Sequence, residues 1–519
     1  MTPIVLGFHL TATSIRTQSS AKSPRFAAKG TSALLTERLP EQTWKTWVLG
    51  MGEQAPTGAI VTDARNSTMA LLCGEIYNRA ELETALDEQS AGSDAALLLR
   101  CFQRYGAHAF RLLNGRFAAV IASGTRVIAA TDHAGSVPLY LYRQDRTVTV
   151  TTEVKTVASL NVIEHTASIS ALSPVRGKSA AQIAAGTVIV HDIDHHQKPR
   201  AMRTWSPPLH RRAPHEDEAV ALVREALTRS VGQRLRDIES PPTAVLSGGI
   251  DSSSVTVLAA AACGAVHTVS MGTDDHNEFD AAREVADHVR RHHPGCDHAE
   301  LTVTSEDVLA ELPWAVWAAE VYDATIIEYL LPLTVLYRRL AGPARRVLTG
   351  YGADIPLGGM HRDIHALDSV ENAIVYDMST FDGLNELTPV LAALGGHWTT
   401  HPFWDREVLD ALIQLEAGLK RRHQRDKWVL RRAMTDLLPS TTIARPKLGV
   451  HEGSGISAAF SEMVRTYDVP ADEVAHAKQC VVRSIYDQTV GAGRHPEEVD
   501  LSRILADRPW REASRSAAI

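Results

Sequence analysis

The sequence predicts two domains of different class, an α+β domain with antiparallel sheets followed by an α/β domain with a parallel sheet. The first 205 or so residues contain many short β-like runs with few helical patterns between them, which favours antiparallel sheets. Beyond them apolar strands, glycine-containing loops and helices alternate, as in a doubly wound parallel sheet. A length of 519 residues also exceeds one ordinary domain.

The first domain is predicted from six strands and two helices. Runs rich in apolar and β-branched residues indicate strands at residues 58–62, 69–73, 117–122, 126–130, 147–151 and 187–191. Helical periodicity indicates helices at residues 80–86 and 93–105. Residues 205–218 combine repeated prolines with clustered charge, which is typical of a linker. We therefore divide the chain into residues 1–208 and 209–519.

The second domain is predicted to alternate strands and helices. A helix at 216–235 precedes a strand at 243–246, a glycine loop and an apolar helix that starts near Ser252. A strand at 266–271 leads into a helix that ends near residue 291, and a strand at 346–349 runs into a further glycine loop. Each of these strands ends in an unusual loop, and parallel sheets bind ligands at the carboxyl ends of their strands. From about residue 379 the chain is predicted to be mostly helical.

Composition excludes several classes of protein. With 44% hydrophobic and 22% charged residues the chain has the balance of a globular protein. A net charge of −8 gives no excess of basic residues for a nucleic-acid backbone. The most apolar run, residues 255–265, is too short to cross a bilayer, and the amino terminus lacks a signal-peptide pattern, so we expect a cytoplasmic protein with no membrane partner. The five cysteines are scattered without CxxC pairs, and we expect them to be small buried residues.

The clearest motif is Val-Leu-Ser-Gly-Gly-Ile-Asp-Ser-Ser at residues 245–253, which follows a predicted strand and opens a helix. Two glycines allow close approach of an anion, and serine hydroxyls with free amides at a helix start can hold phosphate. The motif resembles the pyrophosphate loop of ATP pyrophosphatases, which form adenylates and release pyrophosphate. That resemblance implies ATP as a ligand, Asp251 as a Mg²⁺ ligand, and a phosphate site formed by Ser247, Gly248, Gly249, Ser252 and Ser253.

The first domain resembles the glutaminase domain of asparagine synthetases, an Ntn-hydrolase-like fold. The matching stretches lie at residues 74–82, 113–118 and 132–140. That domain hydrolyses glutamine with a cysteine at its very amino terminus. This sequence starts Met1-Thr2-Pro3 and its first cysteine is Cys73, so we expect a degenerate glutaminase domain that serves as a scaffold and releases no ammonia.

The second domain resembles the β-lactam synthetases along nearly its whole length. The matching stretches lie at residues 268–273, 277–279, 326–334, 348–362, 377–386 and 445–455. These enzymes adenylate a carboxyl group and capture it with an amine of the same molecule, for which proximity can lower the barrier by about 7–11 kcal/mol. The resemblance implies N2-(2-carboxyethyl)-L-arginine as the substrate, ATP and Mg²⁺ as its partners, and a step towards clavulanic acid.

The resemblance also implies roles for individual residues. Asp251 and Asp354 would bind Mg²⁺. Tyr351 would accept the proton of the attacking amine with Glu386 as its carboxylate partner, and Lys447 would contact the α-phosphate and the carboxylate. The adenine and ribose pocket would be lined by Val269, Met271 and Gly350.

The substrate pocket would include Tyr329, Gly352 and Asp377, with Asp377 paired to the substrate guanidinium. Some of these residues have structural interpretations too: Met271 is equally consistent with core packing, and Asp377 with an exposed helix position. We interpret the charged run at residues 420–427 as a solvated helix face, with a capping role at the active site as the alternative.

Other functions stay open at this level. They are a carbapenam synthetase acting on carboxymethylproline, a lasso-peptide cyclase, an ammonia-dependent asparagine synthetase, and a non-catalytic relative that only binds nucleotide. A carboxymethylproline has no guanidinium for Asp377 to bind. Oligomeric state is also open, with a homodimer as one form the sequence permits.

Overall fold

The fold was analysed in a computed structural model that describes residues 5–14, 31–39, 42–51, 57–87, 92–144, 147–158, 181–194, 199–236, 238, 240–273, 277–340, 342, 345–361, 364, 366–380, 388–446 and 456–511. These residues form two six-stranded sheets from the first half of the chain and one five-stranded sheet from the second half. Every strand pair in the first two sheets is antiparallel. Every pair in the third is parallel. The predicted class of each half is therefore confirmed.

The two antiparallel sheets enclose a common core. In spatial order the first contains Ala181–Gln182, Tyr140–Gln144, Thr147–Thr151, Val5–Ser14, Gln42–Gly50 and Thr31–Leu39. The second contains Arg200–Arg203, Thr187–Asp192, Arg126–Thr131, Gly115–Ser123, Thr68–Ile76 and Ile60–Asp63. Alternate residues of the first sheet, such as Phe8 and Leu10, pack against Leu71 and Val120 of the second. Helices Arg79–Leu86 and Asp94–Tyr105 cover the outer face of the second sheet.

The parallel sheet is covered on both faces, as parallel sheets require. Its strands, in spatial order, are Asp297–Thr302, His267–Gly272, Thr243–Val245, Arg346–Leu348 and Trp398–Thr400. Helices Glu216–Arg234, Ile250–Cys263 and Phe279–His292 contribute to the core on one face, and helices Leu312–Ala319 and Ala324–Arg339 to the core on the other.

The remaining helices follow in chain order, beginning with Lys155–Ala158 in the first half and Ser305–Ala310 in the second. After the fourth parallel strand they are Leu367–Thr380, Thr388–Leu394, Arg406–Gln414, Ala417–Lys420, Trp428–Ala433, Ser440–Ala444, Ile456–Arg465, Val474–Tyr486 and Leu501–Asp507. The mostly helical character predicted after residue 379 is confirmed; the strands in that region are Trp398–Thr400 and the short pair Arg421–Arg422 and Arg425–Asp426. The predicted boundary at 208/209 stays a prediction; it falls between Arg200–Arg203 and Glu216–Arg234.

The two halves meet through buried polar contacts at Trp398–Thr400, the edge strand of the parallel sheet. Glu75 accepts hydrogen bonds from Arg346 (2.7 Å) and from the indole of Trp398 (2.9 Å). The Arg116 guanidinium lies 3.6 Å from the centre of the Trp398 ring. The hydroxyls of Tyr77 and Thr400 are 2.8 Å apart. The first domain therefore covers the edge of the second domain's sheet.

All five cysteines are among the described residues, and none of them forms a disulfide there. Cys73, Cys101 and Cys296 are buried as expected, whereas Cys263 is exposed and Cys480 half-buried, so the expectation of five buried cysteines is wrong for two. No helix in the described ranges is long and apolar enough to span a membrane.

Candidate active site

The glycine loop connects the strand Thr243–Val245 to the helix Ile250–Cys263, and hydrogen bonds to its own serines hold it together. The hydroxyls of Ser247 and Ser252 lie 3.0 Å apart, and the Gly249 amide donates to the Ser247 hydroxyl at 3.3 Å. Gly248 has φ +72°, and a Cβ there would lie 2.5 Å from the carbonyl carbon of Ala281, so only glycine fits. The first amides of a helix have no intrahelical acceptor. The start of this helix could therefore hold an anion.

The loop after the strand Arg346–Leu348 lies directly against this helix start. A Cβ on Gly350 would be 2.3 Å from the Ser252 amide nitrogen, so the two loops touch through their backbones. Val269 is buried and Met271 half-buried, and both pack in the core cluster of the adjacent face. Ser253 is fully buried, which shields its hydroxyl from solvent, unlike Ser247 and Ser252.

Two predicted metal ligands converge on a single ammonium group. The Lys427 Nζ pairs with Asp354 at 2.8 Å and donates a hydrogen bond to Asp251. The Lys427 side chain is 0% exposed, against 18% for Asp251 and 25% for Asp354. Burial alone would lower the pKa of Lys427, but the two carboxylates outweigh it and raise the pKa above its ordinary value. The carboxylates thus face one cation position beside the glycine loop.

Lys427 was not predicted as a site residue, because the charged run at 420–427 was interpreted as a solvated helix face. That interpretation is wrong. Residues Arg421–Arg422 and Arg425–Asp426 form a small antiparallel hairpin, and Lys420 and Lys427 at its ends are buried. His423 and Gln424 in the turn both have positive φ. No local pattern identifies Lys427, since its partners lie 176 and 73 residues away along the chain.

Tyr351 lies among aromatic rings beside the glycine loop. Its ring centre is 5.4 Å from that of His401 and 6.2 Å from that of Tyr329. The Thr349 hydroxyl accepts from the Tyr351 amide at 3.2 Å and hydrogen-bonds to the His401 Nδ1. Burial, with Arg116 and Arg234 nearby, holds the pKa of His401 well below its usual range, so this imidazole is neutral at pH 7. His401 is a second site residue that sequence analysis missed.

Tyr329 reaches this group from the helix Ala324–Arg339. The helix begins at Asp323, whose carboxylate accepts hydrogen bonds from the Thr325 and Ile326 amides at 2.8 and 3.2 Å. Such a cap fixes the start of the helix and hence the position of the side chains one turn later.

Gly352 follows Tyr351 in the same loop, and Asp377 lies on the helix Leu367–Thr380. Gly352 has φ +91°, and a Cβ there would lie 1.7 Å from the Trp404 ring, so the indole fills the space that a side chain would need. Asp377, on the helix Leu367–Thr380, accepts a hydrogen bond from His361 Nε2 at 2.7 Å. The remaining two predicted catalytic residues, Glu386 and Lys447, lie outside the described residues, and their roles stay predictions.

Four of the five cysteines have a raised thiol pKa. Burial raises the pKa of Cys73 to about 12, and it also raises the pKa of Cys263, Cys296 and Cys480. Cys101 is buried in the core around its helix. Because thiolates are the nucleophilic form, the raised pKa disfavours nucleophilic attack by Cys73, Cys263, Cys296 and Cys480.

Comparison with known proteins shows which proteins this chain is similar to. The family model described as asparagine synthase matches residues 222–400 and 391–498, and that described as a glutamine amidotransferase domain matches residues 52–159. The carboxyethyl-arginine beta-lactam-synthase of Streptomyces clavuligerus is 49% identical over 509 residues, 95% of this chain and 96% of the relative. The glutamine-hydrolyzing asparagine synthetase 2 of Arabidopsis thaliana is 27% identical over 416 residues, 74% of this chain and 67% of that protein. Asparagine synthetase 1 of Lotus japonicus is 26% identical over 422 residues, 75% of this chain and 67% of that protein.

Proposed function

The chain belongs to the asparagine synthase family, and we propose that it is an ATP-dependent β-lactam synthetase that cyclises N2-(2-carboxyethyl)-L-arginine. The observation that carries the proposal is 49% identity over 95% of the chain to a carboxyethyl-arginine beta-lactam-synthase. In the proposed reaction ATP adenylates the carboxyl group of the carboxyethyl arm and pyrophosphate leaves. The secondary amine of the same molecule then attacks the acyl carbon, which closes a four-membered lactam and releases AMP.

The phosphates of ATP would lie at the glycine loop, on the hydroxyls of Ser247 and Ser252 and the first helix amides. We propose Asp251 and Asp354 as ligands of Mg²⁺, because the two carboxylates already converge on one cation. When bound there, the metal would neutralise charge on the phosphates. Lys427 stays charged between these carboxylates and would supply a second fixed positive charge near the departing pyrophosphate.

Ring closure requires removal of a proton from the attacking ammonium group. Tyr351 is proposed to accept it with Glu386 as its carboxylate partner, a pairing that rests on the resemblance. Because the His401 beside Tyr351 is neutral, it adds no positive charge that would repel the ammonium group of the substrate. Lys447 is proposed to stabilise negative charge on the α-phosphate and then on the tetrahedral carbon.

An amine within the substrate removes the need for ammonia. The cysteines have raised thiol pKa values or lie in the core, which favours an intramolecular nucleophile over glutamine-derived ammonia. The first domain would then act as a structural partner of the synthetase domain. The ATP requirement suits the cytoplasm, where we expect the enzyme, and size-exclusion chromatography with light scattering will distinguish a monomer from a homodimer.

Mass spectrometry of the products tests the proposal directly. The protein is incubated with MgATP and carboxyethyl-arginine, and we expect a product that has lost one water, with AMP and pyrophosphate in equal amounts. Parallel reactions contain carboxymethylproline, or aspartate with ammonium. Turnover of either alternative without turnover of carboxyethyl-arginine, or release of ADP in place of AMP, would overturn it.

Two variants separate the half-reactions. Tyr351→Phe removes the proton-accepting hydroxyl, so lactam formation should slow by about a hundredfold while pyrophosphate exchange persists. Lys447→Ala should abolish product while ATP binding remains. Near-normal turnover of Lys447→Ala would contradict the role given to that lysine.

A further inference from the structure

We propose that His361 and Arg421 are positioning residues that hold the Asp377 carboxylate for the cationic end of the substrate, so that they set specificity without touching the reacting atoms. The inference rests on the proposed function, because it assumes a guanidinium-bearing substrate. It concerns two residues on different segments, the turn that follows Asp354 and the hairpin that ends at Lys427.

His361 contacts Asp377 directly. The His361 Nε2 donates to Asp377 Oδ2 at 2.7 Å, while the two side chains are 20% and 30% exposed. The bond uses one carboxylate oxygen, and the remaining exposure leaves the carboxylate accessible to a ligand. A planar guanidinium binds a carboxylate best when the carboxylate plane is fixed. His361 provides that fixation, because a single side chain on an exposed helix surface otherwise samples several rotamers.

His361 is itself held in place by Arg421. Arg421 is the anchor: its guanidinium donates to the carbonyl oxygens of His361 (2.8 Å), Gly358 (3.3 Å) and Ile364. Hydrogen bonds from this one guanidinium to three carbonyl oxygens fix the backbone on both sides of His361. The Arg421 Nε in turn donates to Asp426 at 3.0 Å, which holds the guanidinium to its own hairpin. Lysine, with one ammonium, cannot reproduce this geometry.

The hairpin that carries Arg421 also reaches the phosphate side of the site. Asp426 precedes Lys427, whose ammonium joins the two acidic residues of the glycine-loop region. The turn that carries His361 begins near Asp354, whose carbonyl accepts from the Gly359 amide at 2.7 Å. One hairpin therefore sets the position of both ends of the site, the cation position beside the phosphates and the carboxylate proposed for the guanidinium.

The consequence is a specific kinetic signature. Loss of the His361 contact should weaken binding of a cationic substrate more than it affects the chemical steps, because the reacting carboxyl and amine lie at the opposite end of the substrate. A hydrogen bond to a charged group is strong enough that its loss gives about a tenfold rise in KM for carboxyethyl-arginine. An analogue with a neutral urea side chain, N2-(2-carboxyethyl)-citrulline, does not depend on the carboxylate charge, so its KM should change little.

The test measures kcat and KM of His361→Ala, His361→Gln, Arg421→Lys and wild type with both substrates. We expect KM for carboxyethyl-arginine to rise about tenfold in His361→Ala and Arg421→Lys with kcat within about twofold, and His361→Gln to recover part of the loss through its amide donor. In an Asp377→Ala background, His361→Ala should add nothing, because the carboxylate it positions is gone. Arg422→Ala is the matched control, since Arg422 is on the same hairpin but pairs with Glu216 at the surface.

The outcomes are distinguishable from failure of the proposed function. If wild type does not cyclise carboxyethyl-arginine, the proposed function fails and so does the assumption of this inference. If wild type turns over and His361→Ala changes KM equally for both substrates, lowers kcat alone, or adds to Asp377→Ala, the positioning role is overturned. Thermal unfolding and the KM for ATP of each variant identify any general loss of structure.

Discussion

Lys420 provides a quantitative prediction about stability. Its side chain is 1% exposed, and its ammonium donates to the Ile413 carbonyl oxygen at 3.3 Å. Glu371 lies nearby, but its carboxylate already accepts from the Ala417 amide at 2.7 Å and pairs with Arg211 at 3.6 Å. Burial, followed by the charge of Arg211, lowers the pKa of Lys420 to about 7. A buried lysine without a full counter-charge destabilises the fold, so we predict that Lys420→Met stabilises it.

The magnitude follows from the pKa change. In the unfolded chain the pKa of Lys420 returns to 10.5, which is 10.5 − 7, or about 3.5, above its value in the folded protein. Keeping this ammonium protonated in the folded state therefore costs on the order of 5 kcal/mol. Between pH 7 and pH 10.5 the unfolded chain holds a proton that the folded chain has released. Stability of the wild type therefore rises with pH across this window, and the full penalty is present below pH 7. The gain from Lys420→Met should be about 4 kcal/mol at pH 7 and about 2 kcal/mol at pH 9.

The assay is urea unfolding of wild type and Lys420→Met at both pH values, followed by tryptophan fluorescence. The matched control is Lys155→Met, because Lys155 is also buried but pairs with Glu153 at 2.7 Å and Glu320 at 3.1 Å. Removing it leaves two buried carboxylates without their cation and should destabilise by roughly 3–5 kcal/mol. A less stable Lys420→Met, or a gain that is the same at pH 7 and pH 9, would refute the reasoning.

Two further predictions concern the active site. Lys427→Met leaves the carboxylates of Asp251 and Asp354 facing each other without their shared ammonium, so its melting temperature should fall and MgCl₂ should raise it more than in wild type; equal responses to MgCl₂ would contradict this. Gly352→Ala places a Cβ 1.7 Å from the Trp404 ring at φ +91° and should reduce activity at least a hundredfold. The control is Gly232→Ala, whose Cβ meets nothing within 4 Å. It should leave activity unchanged and stabilise its helix by about 1 kcal/mol. An active Gly352→Ala would mean that the Trp404 ring moves aside.

The glycine loop was predictable because its signal is local. The strand before it, the two glycines and the serines at the helix start lie within a dozen residues, and the structure has them in one turn. The alternation of parallel strands and helices was predictable for the same reason. The first antiparallel sheet was partly missed, although Phe8, Leu10 and Ala12 alternate with polar residues as a half-buried strand does. This alternating segment is short and weakly apolar. It forms a strand only because neighbouring strands pair with it.

Other features could not be predicted because they depend on distant residues. The strand Trp398–Thr400 has three residues and is defined by its pairing with Arg346–Leu348. The charged run at 420–427 has the composition of an exposed surface, and only the carboxylates of Asp251 and Asp354 make burial of Lys427 favourable. His401 has no sequence signature, since its place beside Tyr351 depends on how two loops meet.

The contacts between the halves give the amino-terminal half a structural role that does not depend on any activity of its own. Thr400 and Trp398 end the catalytic sheet, and Glu75, Tyr77 and Arg116 from the amino-terminal half satisfy or cover them. Cut free, the synthetase half would present an open strand to any other chain in solution, together with an arginine that has lost its carboxylate. Such a fragment would tend to self-associate, so the amino-terminal half keeps the whole chain dispersed in solution, whatever its own chemistry.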